Sequence, residues 1–216
     1  MKLQVALDLV DLRKAVNLAR ELCSVGAEMI EAGTPLIKLY GMASVSAIKS
    51  ACPKAEVVAD IKTADVGGLE ARLAREFGAD WGTVLGMTNL ETIVEFIKEG
   101  KAVGLKTAVD LIGSRDPEGR AQEILKAARP DLFIVHLGVD VQTRTGMRFE
   151  DLLEIALKIK NMGVGVAVAG GITERELELI IKRGAQVDVV VVGRSIVNDT
   201  SPASKFVMMN NILKHI

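Results

Sequence analysis

Short apolar runs alternate with amphipathic stretches along the whole of this chain. Runs rich in Val, Ile, Leu and Ala at 3–7, 29–31, 56–60, 81–85, 106–110, 132–135, 165–169 and 188–192 predict eight strands. Between them, apolar residues recur at helical spacing, as in the stripe Leu12, Ala15, Val16, Ala19 and Leu22. Helix starts are marked too. Asp116 precedes Pro117 and Glu118, a cap followed by proline at the first helical position. Thr173 stands three residues before Glu176, the spacing of a capping box. A weak repeat sets the same rhythm. Val25-Gly26-Ala27-Glu28, Phe77-Gly78-Ala79-Asp80 and Arg183-Gly184-Ala185-Gln186 each fall between a helix and a strand. In each, glycine can take the left-handed conformation that ends a helix.

Eight strand–helix units in 216 residues leave about 27 residues per unit, close to the minimum for a closed barrel. The fold class predicted is α/β, a single-domain (β/α)8 TIM barrel over residues 1–216 with its site at the C-terminal rim. Doubly wound open sheets alternate in the same way but bind at one switch point, not at most strand ends. No linker, low-complexity tract or charge block interrupts the pattern.

Composition narrows the function. The formal net charge is −1 and aromatics make up 3% of the chain, so neither a basic field nor a base-stacking platform for nucleic acid is expected. The apolar runs Val164 to Ala169 and Val187 to Val192 are too short to cross a bilayer, so no membrane partner is expected. The first eight residues read as a strand, not as a signal peptide. Cys23 and Cys52 show neither metal-ligand spacing nor a disulfide-framework pattern, which predicts reduced, packed thiols in a cytoplasmic protein.

The stretch Asp60-Ile61-Lys62-Thr63-Ala64-Asp65 carries the most chemistry. On a strand, Val58, Asp60 and Lys62 share a face, so a carboxylate and an ammonium end an apolar inward row. Such groups are costly to bury for packing alone. Asp65 lies beyond the strand and is placed to reach outward. The bland alternative is one structural ion pair and a loop carboxylate.

The other strand ends point to the same mouth. They offer Asp8, Glu31, Gly86, Asp110, His136, Gly170 with Gly171, and Gly193 with Arg194. Carboxylates suit a hard cation, Mg²⁺ by default, with Glu31 and Asp60 as the preferred ligands. Asp8 and Asp110 are expected to orient Lys62 or a substrate hydroxyl, or else to be structural. His136, fixed by a strand, suits proton transfer at a carbon beside a carbonyl, though a lone histidine on an apolar segment is often a core residue. His215 is expected to be uninvolved. Gly170, Gly171 and Gly193 let backbone N–H groups approach an anion, and Arg194 can fork onto phosphate oxygens. The alternative there is two tight turns that need glycine.

Together these segments resemble the orotidine 5′-monophosphate decarboxylase suprafamily, whose strand-three signature Asp-x-Lys-x-x-Asp is reproduced by Asp60, Lys62 and Asp65. Within it the chain is most similar to the hexulose-6-phosphate synthases. The matching stretches are residues 3–8, 31–37, 59–65, 109–113 and 168–172, together with His136-x-Gly138-x-Asp140-x-Gln142. The resemblance implies an aldol addition of formaldehyde to D-ribulose 5-phosphate, or the reverse cleavage, with Mg²⁺ on Glu31 and Asp60. It also implies Lys62 as electrostatic partner of the intermediate, His136 as acid/base, and phosphate at Gly171, Gly193 and Arg194. Asp65 would enter the neighbouring subunit's site in a homodimer with shared active sites. Thr143-Arg144-Thr145-Gly146 and Leu39-Tyr40 depart from the family pattern. The related 3-keto-L-gulonate-6-phosphate decarboxylases carry arginine three residues after the strand-six histidine, where this chain has Val139. A non-catalytic sugar-phosphate-binding barrel is the alternative from another class.

Overall fold

The computed structural model describes residues 1–138 and 148–214. Eight strands, β1 Lys2–Leu7, β2 Met29–Ala32, β3 Glu56–Thr63, β4 Trp81–Leu85, β5 Lys106–Asp110, β6 Leu132–His136, β7 Gly165–Ala169 and β8 Val189–Val192, form one sheet. All neighbours run parallel, and β8 pairs back onto β1 with Leu3 opposite Val190, so the barrel is closed. The helices between them are α1 Leu12–Ser24, α2 Thr34–Tyr40, α3 Ala43–Ala51, α4 Gly67–Glu76, α5 Leu90–Val103, α6 Pro117–Ala127, α7 Phe149–Lys160, α8 Glu174–Lys182, α9 Arg194–Val197 and α10 Pro202–Lys214. The predicted strands coincide with the observed ones to within a residue or two, except that β3 continues to Thr63.

Strand pleating sorts the side chains into two cores. Met29, Val58, Ala108, Leu132, Ile134, Ala167, Ala169 and Val189 fill the barrel interior. The alternate positions, such as Ile30, Val57, Val109, Phe133 and Val166, pack outward against the apolar stripes of the helices. In α1 that stripe is Ala15, Leu18, Ala19 and Leu22. The predicted stops and caps form as well. Gly26, Gly78 and Gly184 adopt φ of +93°, +91° and +59° after their helices. Asp116 accepts from the Gly119 amide, and Glu176 accepts from the Thr173 amide.

Carboxylates at the two ends of the barrel do different work. At the N-terminal end, Asp80, Asp131 and Asp188 each precede an even-numbered strand and accept the amide of the strand before it. The bonded amides are Val57 at 2.8 Å, Thr107 at 2.8 Å and Val166 at 2.7 Å. Glu56 there bridges Lys2 at 2.7 Å and Lys106, whose ammonium also lies 5.1 Å from the centre of the Trp81 ring. These are stitches between strands, and they leave the opposite mouth for chemistry.

The thiol expectation is overturned. Cys23, in the last turn of α1, and Cys52, directly after α3, form a disulfide with 5.9 Å between their Cα atoms. The two helices lie side by side, and no spacing rule reveals that a residue 29 positions away is a neighbour. Cysteine chemistry therefore no longer supports a cytoplasmic location. Closing a loop of this length should contribute about 3–4 kcal/mol by constraining the unfolded chain. Denaturant unfolding with and without reductant should show a loss of that size. An unchanged midpoint would mean the bond contributes nothing.

Among the described residues no helix is long and apolar enough to cross a membrane.

Candidate active site

Four of the inward rows turn from apolar to polar at their C-terminal ends. On β3 the row is Val58, Asp60, Lys62; on β5 it is Ala108, Asp110; on β6 it is Leu132, Ile134, His136; on β2 it is Met29, Glu31. A cavity of about 450 Å³ opens there. Asp8, Glu31, Asp60, Lys62, His136, Gly170, Gly171, Gly193 and Arg194 all line it. Residues separated by up to 186 positions thus meet at one mouth.

Lys62 is the hub. Its Nζ lies 2.7 Å from Asp110 Oδ2 and 3.1 and 3.0 Å from the two oxygens of Asp60. Burial alone would lower its pKa, but the charges of Asp60 and Asp110 outweigh that and raise it. The side chain therefore stays an ammonium across the working pH range. Asp110 sits below the cavity floor, 1% exposed, and its Oδ2 also meets His136 Nδ1 at 3.1 Å. Its Oδ1 accepts from the Ile112 amide at 2.9 Å. Burial favours the protonated acid here, yet His136 and Lys62 together hold Asp110 at about 2. A carboxylate fixed on Nδ1 leaves His136 Nε2 for another partner.

The remaining carboxylates are short of positive charge. Glu31, 7% exposed, has a pKa raised well above its ordinary value by burial and by Asp60 and Asp8. Asp8 is raised by burial and by Asp60, against the pull of Lys62, His136 and Arg194. Glu31, Asp8 and Asp60 thus crowd negative charge around the Lys62 ammonium. Among the described residues, no group of three or more His, Cys, Asp or Glu side chains is arranged to hold a metal ion. Two carboxylates completed by water or substrate oxygens would match the habits of Mg²⁺.

Three polar residues escaped sequence analysis. Gln4 Nε2 donates to Glu31 Oε2 from β1. Thr34 Oγ1 lies 2.7 Å from Asp60 Oδ2. Thr83 Oγ1 lies 2.9 Å from Asp60 Oδ1 and accepts from the Lys62 amide at 2.9 Å. The period-two pattern marks Gln4 and Thr83 as inward on their strands, which was the available signal. Gly33 serves by its smallness: a Cβ there would stand 2.2 Å from Asp8 Oδ1, so only glycine lets the β2–α2 turn pass the end of β1.

Asp65 stands apart. It is exposed, accepts from the Val66 amide, and lines a different surface hollow beside Arg72 and Glu95. Leu39 and Tyr40 do not line the cavity either; Tyr40 Oη bonds the Val10 carbonyl at 3.2 Å. Asp140 and Gln142 of the strand-six motif, Val139, the 143–146 departure and His215 lie outside the described residues.

The closed parallel barrel, with lysine, carboxylate and histidine side chains gathered at its C-terminal mouth, has the architecture of the (β/α)8 class. The chain belongs to the orotidine 5′-phosphate decarboxylase / HUMPS family, whose model matches residues 1–207. It is 40% identical over 205 residues to 3-hexulose-6-phosphate synthase of Bacillus subtilis (strain 168), covering 95% of this chain and 93% of the relative. With the Mycobacterium gastri 3-hexulose-6-phosphate synthase it shares 38% identity over 204 residues, 94% of this chain and 95% of that one. A crystal structure of 3-hexulose-6-phosphate synthase superposes with a TM-score of 0.91 at 36% identity, covering 99% of this chain and 100% of the other. Similarity to these enzymes along the whole barrel marks the chain as an enzyme of the lyase class.

Proposed function

We propose that the protein catalyses the reversible aldol addition of formaldehyde to D-ribulose 5-phosphate, giving D-arabino-hex-3-ulose 6-phosphate. The observation that carries this is the shared Asp110 carboxylate, which fixes Lys62 and His136 side by side at the mouth of one cavity. Full-length similarity to 3-hexulose-6-phosphate synthases supports the same substrates.

The steps follow from the positions of these groups. His136 Nε2 removes a proton from C1 of the ketose, and the electron pair moves into the C1–C2 bond and onto the carbonyl oxygen. Lys62, held as an ammonium, faces the negative charge that develops. The electron-rich C1 then attacks the formaldehyde carbon. The C=O pair becomes an alkoxide, which takes the proton back from His136. Glu31 and Asp60 would hold Mg²⁺, which when bound supplies Lewis-acid stabilisation of negative charge on oxygen. Asp8, beside them, orients a substrate hydroxyl. Asp65, exposed and outside its own cavity, fits a role in a partner subunit's site within a homodimer.

Gly170, Gly171, Gly193 and Arg194 form the phosphate end of the cavity. Gly170 and Gly171 adopt φ of +108° and +66°, a turn that keeps backbone close to any anion there. Arg194→Ala should raise KM for the phosphosugar about tenfold or more while changing kcat little, because phosphate binds equally in ground and transition states. An unaltered KM would remove Arg194 from the phosphate site.

Val139, in place of arginine, favours aldol chemistry over decarboxylation of 3-keto-L-gulonate 6-phosphate. Product analysis separates the two. Formaldehyde should disappear with stoichiometric formation of a hexulose phosphate from ribulose 5-phosphate. Release of CO₂ from the keto-gulonate at a higher kcat/KM would reverse the assignment.

A further inference from the structure

The backbone at Lys62 is unusual, and a single side chain accounts for it. From Ala59 to Thr63, β3 advances four residues while its partner β4 advances two, from Gly82 to Val84. The surplus is taken up in a bulge, where Lys62 adopts φ of +47°. That region is strained for a non-glycine residue and persists only where its surroundings enforce it. The bulge also carries the Lys62 amide off the regular ladder. Its hydrogen-bond acceptor is the Thr83 hydroxyl, at 2.9 Å.

That hydroxyl has one proton to give. Because it accepts from Lys62 N–H, its own hydrogen is free to point at Asp60 Oδ1, 2.9 Å away. One buried group, 1% exposed, therefore fixes both the backbone that launches the Lys62 side chain and the carboxylate that receives its ammonium. Thr83 itself lies outside the cavity lining and has no route to substrate. Asp110 and Thr34 complete the fixation from β5 and from the start of α2. Neither of them bonds the bulged amide.

We infer that Thr83 is a positioning residue for the reaction: its hydroxyl sets the bulge at Lys62 and so aims the ammonium at the reacting carbonyl. This rests on the function proposed above for the catalytic role, but not for the geometry. Valine has the shape of threonine without the hydroxyl, whereas serine keeps the hydroxyl and loses only a methyl group. In a crystal structure of Thr83→Val, Lys62 should leave the left-handed region and its Nζ should lose at least one of its contacts with Asp60 and Asp110. In Thr83→Ser both should persist. Turnover should fall about 100-fold in Thr83→Val, the scale of a misplacement of about 1 Å, with KM for the phosphosugar little changed. Thr83→Ser should recover most of it. If Thr83→Val does not fold, Thr83→Ala carries the same expectations against Thr83→Ser.

Two results would overturn the inference. One is a hydroxyl-free variant in which Lys62 keeps its backbone and contacts. The other is a serine variant as impaired as the hydroxyl-free one. The crystallographic outcome decides the role of Thr83 even if the substrate assignment fails, which would show instead as a wild-type enzyme inert towards ribulose 5-phosphate.

Discussion

Replacing His136 with alanine is expected to lower turnover by about 10²–10⁴-fold, the range contributed by a positioned general acid or base. The fold should survive, because the imidazole is partly exposed at the cavity mouth and, among the described residues, bonds Asp110. Binding should change less than rate. The phosphate end proposed above uses other residues, just after β7 and β8 and at the start of α9. His136→Asn is the more discriminating variant: it can still donate to Asp110 but cannot move a proton at neutral pH. Steady-state kinetics with circular dichroism would check both. Full activity in either folded variant would remove His136 from the chemistry.

Removing the Lys62 ammonium should cost more than rate. Lys62→Met keeps the length of the side chain but leaves Asp60 and Asp110 without their cation. Turnover should fall by about 10²–10³-fold or more, as for loss of one preorganised electrostatic donor. Breaking a buried ion pair from one side costs about 3–5 kcal/mol. The Lys62 side chain is 24% exposed and Asp110 keeps His136 as a partner, so the low end of that range is expected. A domain with about 5–15 kcal/mol of stability remains folded after such a loss. Thermal unfolding should therefore shift down while the far-ultraviolet spectrum is retained. A variant with wild-type turnover would show that the Lys62 charge plays no part in catalysis.

The fold was legible because each level of the sequence agreed with the next. Strand runs, helix stripes, the Asp116 and Thr173 caps and the Gly26, Gly78 and Gly184 stops all fall where the barrel needs them. The cavity-lining residues were legible for a related reason. In a parallel barrel every strand end arrives at the same rim, so position along the strand alone brings Asp8, Glu31, Asp60, Lys62 and His136 together. What escaped was whatever depends on neighbours across strands or between helices. Thr83 reads as an ordinary β-branched strand residue until the register shift in β3 presents it with an amide. Cys23 and Cys52 read as packed thiols until α1 and α3 are seen side by side. Asp80, Asp131 and Asp188 have the same chemistry as the site carboxylates. Only their place at the N-terminal end of the barrel separates them from the carboxylates at the cavity.

The most direct test is exchange of the C1 proton of ribulose 5-phosphate with deuterated solvent, followed by proton NMR without formaldehyde. Wild-type protein with Mg²⁺ should exchange one C1 hydrogen stereospecifically; His136→Ala should not, and chelation should suppress the wild-type rate. Phosphosugar that binds while both C1 hydrogens remain in place would contradict proton abstraction by this cluster.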